Sequence, residues 1–164
     1  MTLTKSRSSR PDSEPDESAC HAQALRALAR REHSRVELER KLAARGHSAA
    51  VVAETLDRLE GSGLLDAERF CESFVRSRVT KGQGPARISR ELAERGIDSE
   101  TAERAIAESG DDWAALARRV RRRRFGPELP VDYKERARQS RFLQYRGFSM
   151  EQIRSAMASD PEFE

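Results

Sequence analysis

Apolar side chains recur along this chain at three- and four-residue intervals, the spacing that gathers them on one face of a helix. Leu25 and Leu28, then Leu38 and Leu42, then Val52, Leu56 and Leu59 trace three such faces. Phe70, Phe74 and Val75, then Ile88 and Leu92, then Ala102 and Ile106 trace three more. Trp113, Leu116 and Val120, Ala137 and Leu143, and Ile153 and Met157 complete the series. No segment sustains the alternation of a half-buried strand, so the pattern predicts an all-α chain.

The punctuation between these faces repeats. Leu42-Ala-Ala-Arg45-Gly46-His47-Ser48, Leu92-Ala-Glu-Arg95-Gly96-Ile97-Asp98 and Leu143-Gln-Tyr-Arg146-Gly147-Phe148-Ser149 share one design. Gly supplies the left-handed residue that ends a helix, and Ser or Asp two places later caps the next one. The Arg before each Gly suits the negative end of a helix dipole. Ser34-Arg-Val-Glu37 and Ser149-Met-Glu-Gln152 are capping-box patterns, and Asp66 is a further N-cap candidate. Arg45 and Arg95 are 50 positions apart and Arg95 and Arg146 are 51 apart, a period typical of stacked supersecondary units. The expected fold is therefore three tandem three-helix repeats forming an elongated, curved array, over residues 19–63, 64–110 and 111–160. The Ser-, Pro- and charge-rich residues 1–18 cannot bury enough apolar surface to order and are expected to form a disordered tail.

Composition sharpens this picture. Of 164 residues, 36% are charged, 37% hydrophobic and 5% aromatic, thin for one thick core but adequate where each repeat buries its face on a neighbour. The net charge is only +3, yet it is unevenly placed. Asp112 to Arg146 holds eleven Lys and Arg against four acids, a local balance of +7. Cys20 and Cys71 are too few for a disulfide framework, and no apolar run nears the roughly 20 residues of a membrane span. A cytoplasmic, membrane-free protein is expected.

Candidate chemistry is sparse. His21, His33 and His47 lack a paired nucleophile or metal-type spacing and read as solvated surface residues; Cys71, beside Phe70, reads as a small buried group. Gly82-Gln-Gly84-Pro85 lacks the Lys-Ser/Thr ending of a phosphate-binding loop. Its glycines allow a sharp turn or close approach of a partner, and the turn is favoured. No catalytic residue, cofactor or metal is expected.

The strongest single feature is the run Arg118, Arg119, Arg121, Arg122, Arg123 and Arg124. At about 100° per residue it wraps most of a helix, leaving Val120 to pack. A solvated helix would intersperse glutamates to relieve the repulsion, so the run points to an anionic partner. Arg76, Arg78, Lys81, Arg87 and Arg90 form a second cluster and Arg136, Arg138, Arg141 and Arg146 a third, each diluted by acids such as Glu91, Glu94 and Glu135. Contact and passive solvation remain open for both.

From about Ala24 to Ala158 the sequence resembles the RecX family of bacterial recombinase regulators. The resemblance rests on Leu65-Asp66 with Arg69-Phe70, Phe74-Val75-Arg76-Ser77-Arg78, Gly82-Gln-Gly84 and Ile88 with Glu91-Leu92 and Gly96-Ile97. Arg124-Phe125-Gly126 and Arg141-Phe142-Leu143 with Arg146-Gly147-Phe148-Ser149 complete it. It implies tandem three-helix repeats, no enzyme activity, and modulation, usually inhibition, of the RecA recombinase from the groove of the RecA–DNA filament. Strand exchange and coprotease activity would be affected. His47 departs from the family pattern, since a hydrophobic residue follows Gly in the other two repeats.

The leading expectation is a binding module that docks a basic side along an anionic filament. Arg121 to Arg124 with Arg76 and Arg78 are expected to attach it, and Trp113, Phe70 and Phe74 to serve the core. The alternative is a direct, largely non-specific binder of single- or double-stranded DNA. Oligomeric state is left open, with a monomer favoured.

Overall fold

The computed structural model describes residues 13–158. Its described residues form nine α-helices and no strand: α1 (Ser13–Arg30), α2 (Arg35–Ala44), α3 (Ala49–Gly61), α4 (Ala67–Thr80), α5 (Pro85–Glu94), α6 (Ser99–Glu108), α7 (Trp113–Phe125), α8 (Tyr133–Tyr145) and α9 (Met150–Ala156). Three apolar clusters, one per helix triplet, form the core.

Local chemistry sets the helix ends. The Ser34 hydroxyl accepts from the Glu37 N–H while the Glu37 carboxylate accepts from the Ser34 N–H, and Ser149 and Gln152 repeat that exchange. Ser48 and Asp98 cap α3 and α6. Gly46, Gly96 and Gly147 all adopt positive φ, at 89°, 79° and 97°, where any other residue would be strained. The N-terminal tail expected over 1–18 lies outside the described residues up to residue 12. From Ser13 the chain is already helical.

Two compact units divide between Ala67 and Glu68. In the first, α1, α2 and α3 enclose Ala24, Leu38, Leu42, Leu56 and Leu59. Two histidines differ from the solvated role expected of them. His33 is only 2% exposed, with Nδ1 3.0 Å from the Arg31 carbonyl oxygen. The His47 side chain is buried against α1, its ring nitrogens 2.5 Å from Asp16 Oδ1 and 2.9 Å from Gln23 Oε1. It thus fills with polar contacts the place that Ile97 and Phe148, both buried, fill with apolar ones.

The second unit holds the other two triplets. Val79 and Trp113 pack against both of its clusters, and Trp113 is half-buried. Ile106 is half-buried as well, whereas Leu92 is fully buried. Gly82 makes the expected turn, with φ 75°. Gly84 serves a close approach, but to this chain itself. Its N–H donates to the Arg146 carbonyl at 2.8 Å, and the Ala86 N–H donates to the Gly147 carbonyl at 3.1 Å. A Cβ on Gly84 would lie 2.5 Å from the Gly147 carbonyl carbon and oxygen, so backbone meets backbone with no room for a side chain.

Candidate functional site: a cationic groove in the third triplet

The arginine run lies on α7, and the helix sorts it by face. Trp113, Leu116, Ala117 and Val120 turn toward the core, and one further turn brings Arg121 to the same side. Arg121 is 2% exposed. Its Nη1 donates to the Glu128 carbonyl at 2.9 Å and to Gln139 Oε1 at 3.4 Å, and its Nη2 donates to the Pro127 carbonyl at 3.2 Å. Burial, with the neighbouring Arg122 charge, pulls its pKa below the ordinary arginine value. Arg121 therefore fastens the 126–132 connection to α7 and α8, which corrects its expected part in attachment. Leu28 and Leu38 in the first triplet, and Val79 and Ile88 in the second, stand where Arg121 and Gln139 stand in the third. A polar pair has replaced an apolar one.

Arg119, Arg123 and Arg124 face away from that packing and meet Lys81 and Arg146 around a groove of about 590 Å³. Val79, Leu116, Val120 and Phe142 supply its apolar floor, and no Asp or Glu among the described residues lines it. The end of α4 reaches the groove because Arg146 Nη1 donates to the Lys81 carbonyl at 3.0 Å. The Arg146 guanidinium also lies 5.3 Å from the centre of the Phe142 ring. Five cations around an apolar floor concentrate positive potential, and guanidinium forks match the oxygens of phosphate or carboxylate.

The other predicted cations divide. Arg78 and Arg87 are occupied by Glu91, whose Oε2 accepts from Arg78 Nε at 2.7 Å and whose Oε1 accepts from Arg87 Nε at 3.3 Å. Burial opposes the charged form of Glu91, but these hydrogen bonds and charges outweigh it and hold the carboxyl below its usual range. Arg78 and Arg95 also lie over the Phe74 ring, at 4.1 and 4.7 Å. Arg76 pairs with Glu72, and Arg138 with Glu135. Arg90, Arg122, Arg136 and Arg141 are exposed outside the groove and Arg118 is half-buried. The sequence pattern gave no sign of the apolar floor: it assigned Leu116 and Val120 to helix packing, showed Phe142 only within a family motif and left Val79 unremarked.

No group of His, Cys, Asp or Glu able to hold a metal occurs among the described residues. Both cysteines are buried, and burial pushes the Cys71 thiol up to about 11, away from nucleophilic use. No described helix is long and apolar enough to cross a membrane.

Models of the first, second and third three-helix domains of RecX match residues 20–59, 66–106 and 111–157. The chain belongs to the RecX family. A regulatory protein RecX of Halorhodospira halophila is 51% identical over 139 residues, covering 85% of this chain and 86% of that protein. One from Pseudomonas fluorescens is 50% identical over 130 residues, covering 79% and 84%. The crystal structure of RecX from Lactobacillus salivarius superposes with a TM-score of 0.73 at 24% identity, covering 87% of this chain and 94% of that one. A second RecX crystal structure gives 0.71 at 20% identity, covering 85% and 70%. This RecX-family chain is thus an all-helical set of three three-helix repeats, and its relatives are named regulatory proteins.

Proposed function

We propose that this chain is a non-enzymatic regulator of the RecA recombinase, acting in the cytoplasm as an inhibitor. It docks through its basic surface along the groove of the RecA–DNA filament and so affects strand exchange and coprotease activity. The observation that carries this reading is the groove of the third repeat: five cations, an apolar floor and no carboxylate of its own. A filament of protein and nucleic acid supplies both the repeated negative charge and the apolar contact such a groove takes. Attachment at several repeats gains from effective concentration, so each contact can be weak.

Direct DNA binding is the second reading, favoured by the same acid-free lining. It does not run through a helix-turn-helix docking, because α3 exposes Glu54, Asp57 and Glu60 and α6 exposes Glu100, Glu103 and Glu108 where a phosphate-lined groove calls for cations. The deciding experiment titrates parent and the Arg119→Ala/Arg123→Ala/Arg124→Ala variant into a RecA strand-exchange and ATPase assay at two salt concentrations. Inhibition weakened at both, with the helical circular dichroism kept, is expected. Parent-like inhibition by the variant refutes the groove as the docking surface.

A further inference from the structure

The three repeats share one register of buried positions, and it leads to a second cationic concavity, in the first repeat. Cys20 and Ala24 of α1 are buried like Cys71 and Val75 of α4 and like Ala117 of α7, and Leu42, Leu92 and Leu143 are the buried residues three places before each Arg45, Arg95 and Arg146. In that register Arg26 and Arg30 take the places of Arg119 and Arg123, and Arg45 that of Arg146. The first repeat carries a concavity there too, of about 100 Å³, walled by Arg26, Arg30, Lys41 and Arg45 over Ala27 and Leu42. Among the described residues no Asp or Glu lines it.

The second repeat carries a carboxylate in this register. Glu91 stands where the first repeat has Lys41 and the third has Phe142, and its carboxylate is gripped by Arg78 and Arg87 while Arg95 donates to its main-chain carbonyl at 2.8 Å. The guanidiniums that grip it, Arg78 and Arg87, stand where the first repeat has Ala27 and Glu37 and the third has Val120 and Arg138. Neither the first nor the third repeat has a carboxylate at the position of Glu91.

We infer that the concavity of the first repeat is an anion site matching the groove of the third, and that each takes a phosphodiester group of a nucleic-acid strand. In the second repeat a single carboxylate suffices for two guanidiniums. Four cations with no internal acid call for a polymer that brings successive charges, each ionised at any physiological pH and each offering two oxygens to a guanidinium fork. This deepens the reading of the chain as a regulator acting on a protein–DNA filament and rests on it.

The test uses the full chain and a fluorescent oligothymidylate, with binding followed by anisotropy over a salt series. Lys41→Glu places a carboxylate at the position of Glu91, among Arg26, Arg30 and Arg45, and Arg26→Ala/Arg45→Ala removes two contacts. Arg35→Ala is the control, because it removes charge from the same unit at a guanidinium already engaged by Asp57 and Glu60. Two lost phosphate contacts should flatten the slope of log affinity against log salt by about 1.4 and weaken binding about 25-fold at 0.1 M salt. Lys41→Glu should act in the same direction, and Arg35→Ala should bind close to parent. Parent-like affinity and slope in Lys41→Glu and in the double variant, both with native circular dichroism, would overturn the site. Unchanged DNA binding with loss of binding to DNA-free RecA or polyglutamate would also overturn it, in favour of an acidic protein surface. RecA inhibition measured in parallel separates the two claims: weakened DNA binding with full inhibition upholds the site and removes it from the regulatory contact.

Discussion

Arg121 is a guanidinium that builds the fold. Truncation in Arg121→Ala removes two good hydrogen bonds, to Glu128 O at 2.9 Å and Pro127 O at 3.2 Å, and a longer one to Gln139 at 3.4 Å. Bonds from a charged donor contribute about 1.5–3 kcal/mol each, and the space left behind adds to the loss. Against this, the buried charge has no carboxylate partner, so its desolvation cost disappears with it. The balance is a destabilisation of about 3 kcal/mol, or about 6–12 °C in Tm for a chain of this size. Replacing the pair together, as Arg121→Leu/Gln139→Leu, restores the apolar arrangement of the other two repeats and should stay within about 1 kcal/mol of parent. Urea unfolding followed by far-ultraviolet circular dichroism and by the fluorescence of Trp113, the chain's one tryptophan, measures both. In the same assay Arg123→Ala should change stability by no more than about 0.5 kcal/mol, as an exposed site. An Arg121→Ala protein that unfolds like parent would refute the structural role.

Gly84→Ala should destabilise the second unit by at least about 2 kcal/mol, since its Cβ would meet the Gly147 backbone at 2.5 Å and neither strand of chain can shift without breaking the two hydrogen bonds there; a parent-like urea midpoint would contradict that packing. Acidification should weaken the fold in two steps. His33 is held neutral by burial, its pKa lowered from 6.5, so its contribution is full above about pH 6.5 and fades as pH falls through the lower folded value. Glu91 also has a depressed folded pKa, so its contribution is full above the unfolded carboxyl value of about 4.3 and lost below it. Thermal melts across pH 3–8 (roughly the span of both groups) should show the lower step flattened in Glu91→Gln and the upper step kept.

The sequence by itself determined the helices, most of their ends apart from the start of α1, and the threefold repeat, because these depend on short-range rules. A helical period gathers Leu38 with Leu42 or Phe70 with Phe74, and a Ser or Asp hydroxyl or carboxylate caps the N–H groups three residues on wherever it stands. It also marked α7 as the seat of positive charge. Only the tertiary structure decided which of six similar arginines is buried. Neither local pattern nor composition could place Glu91 between Arg78 and Arg87, or leave the groove beside Arg119 and Arg123 without an acid. Those outcomes depend on which side chains from distant helices converge. A charge is neutralised or left available by its neighbours in space, and only folding chooses them.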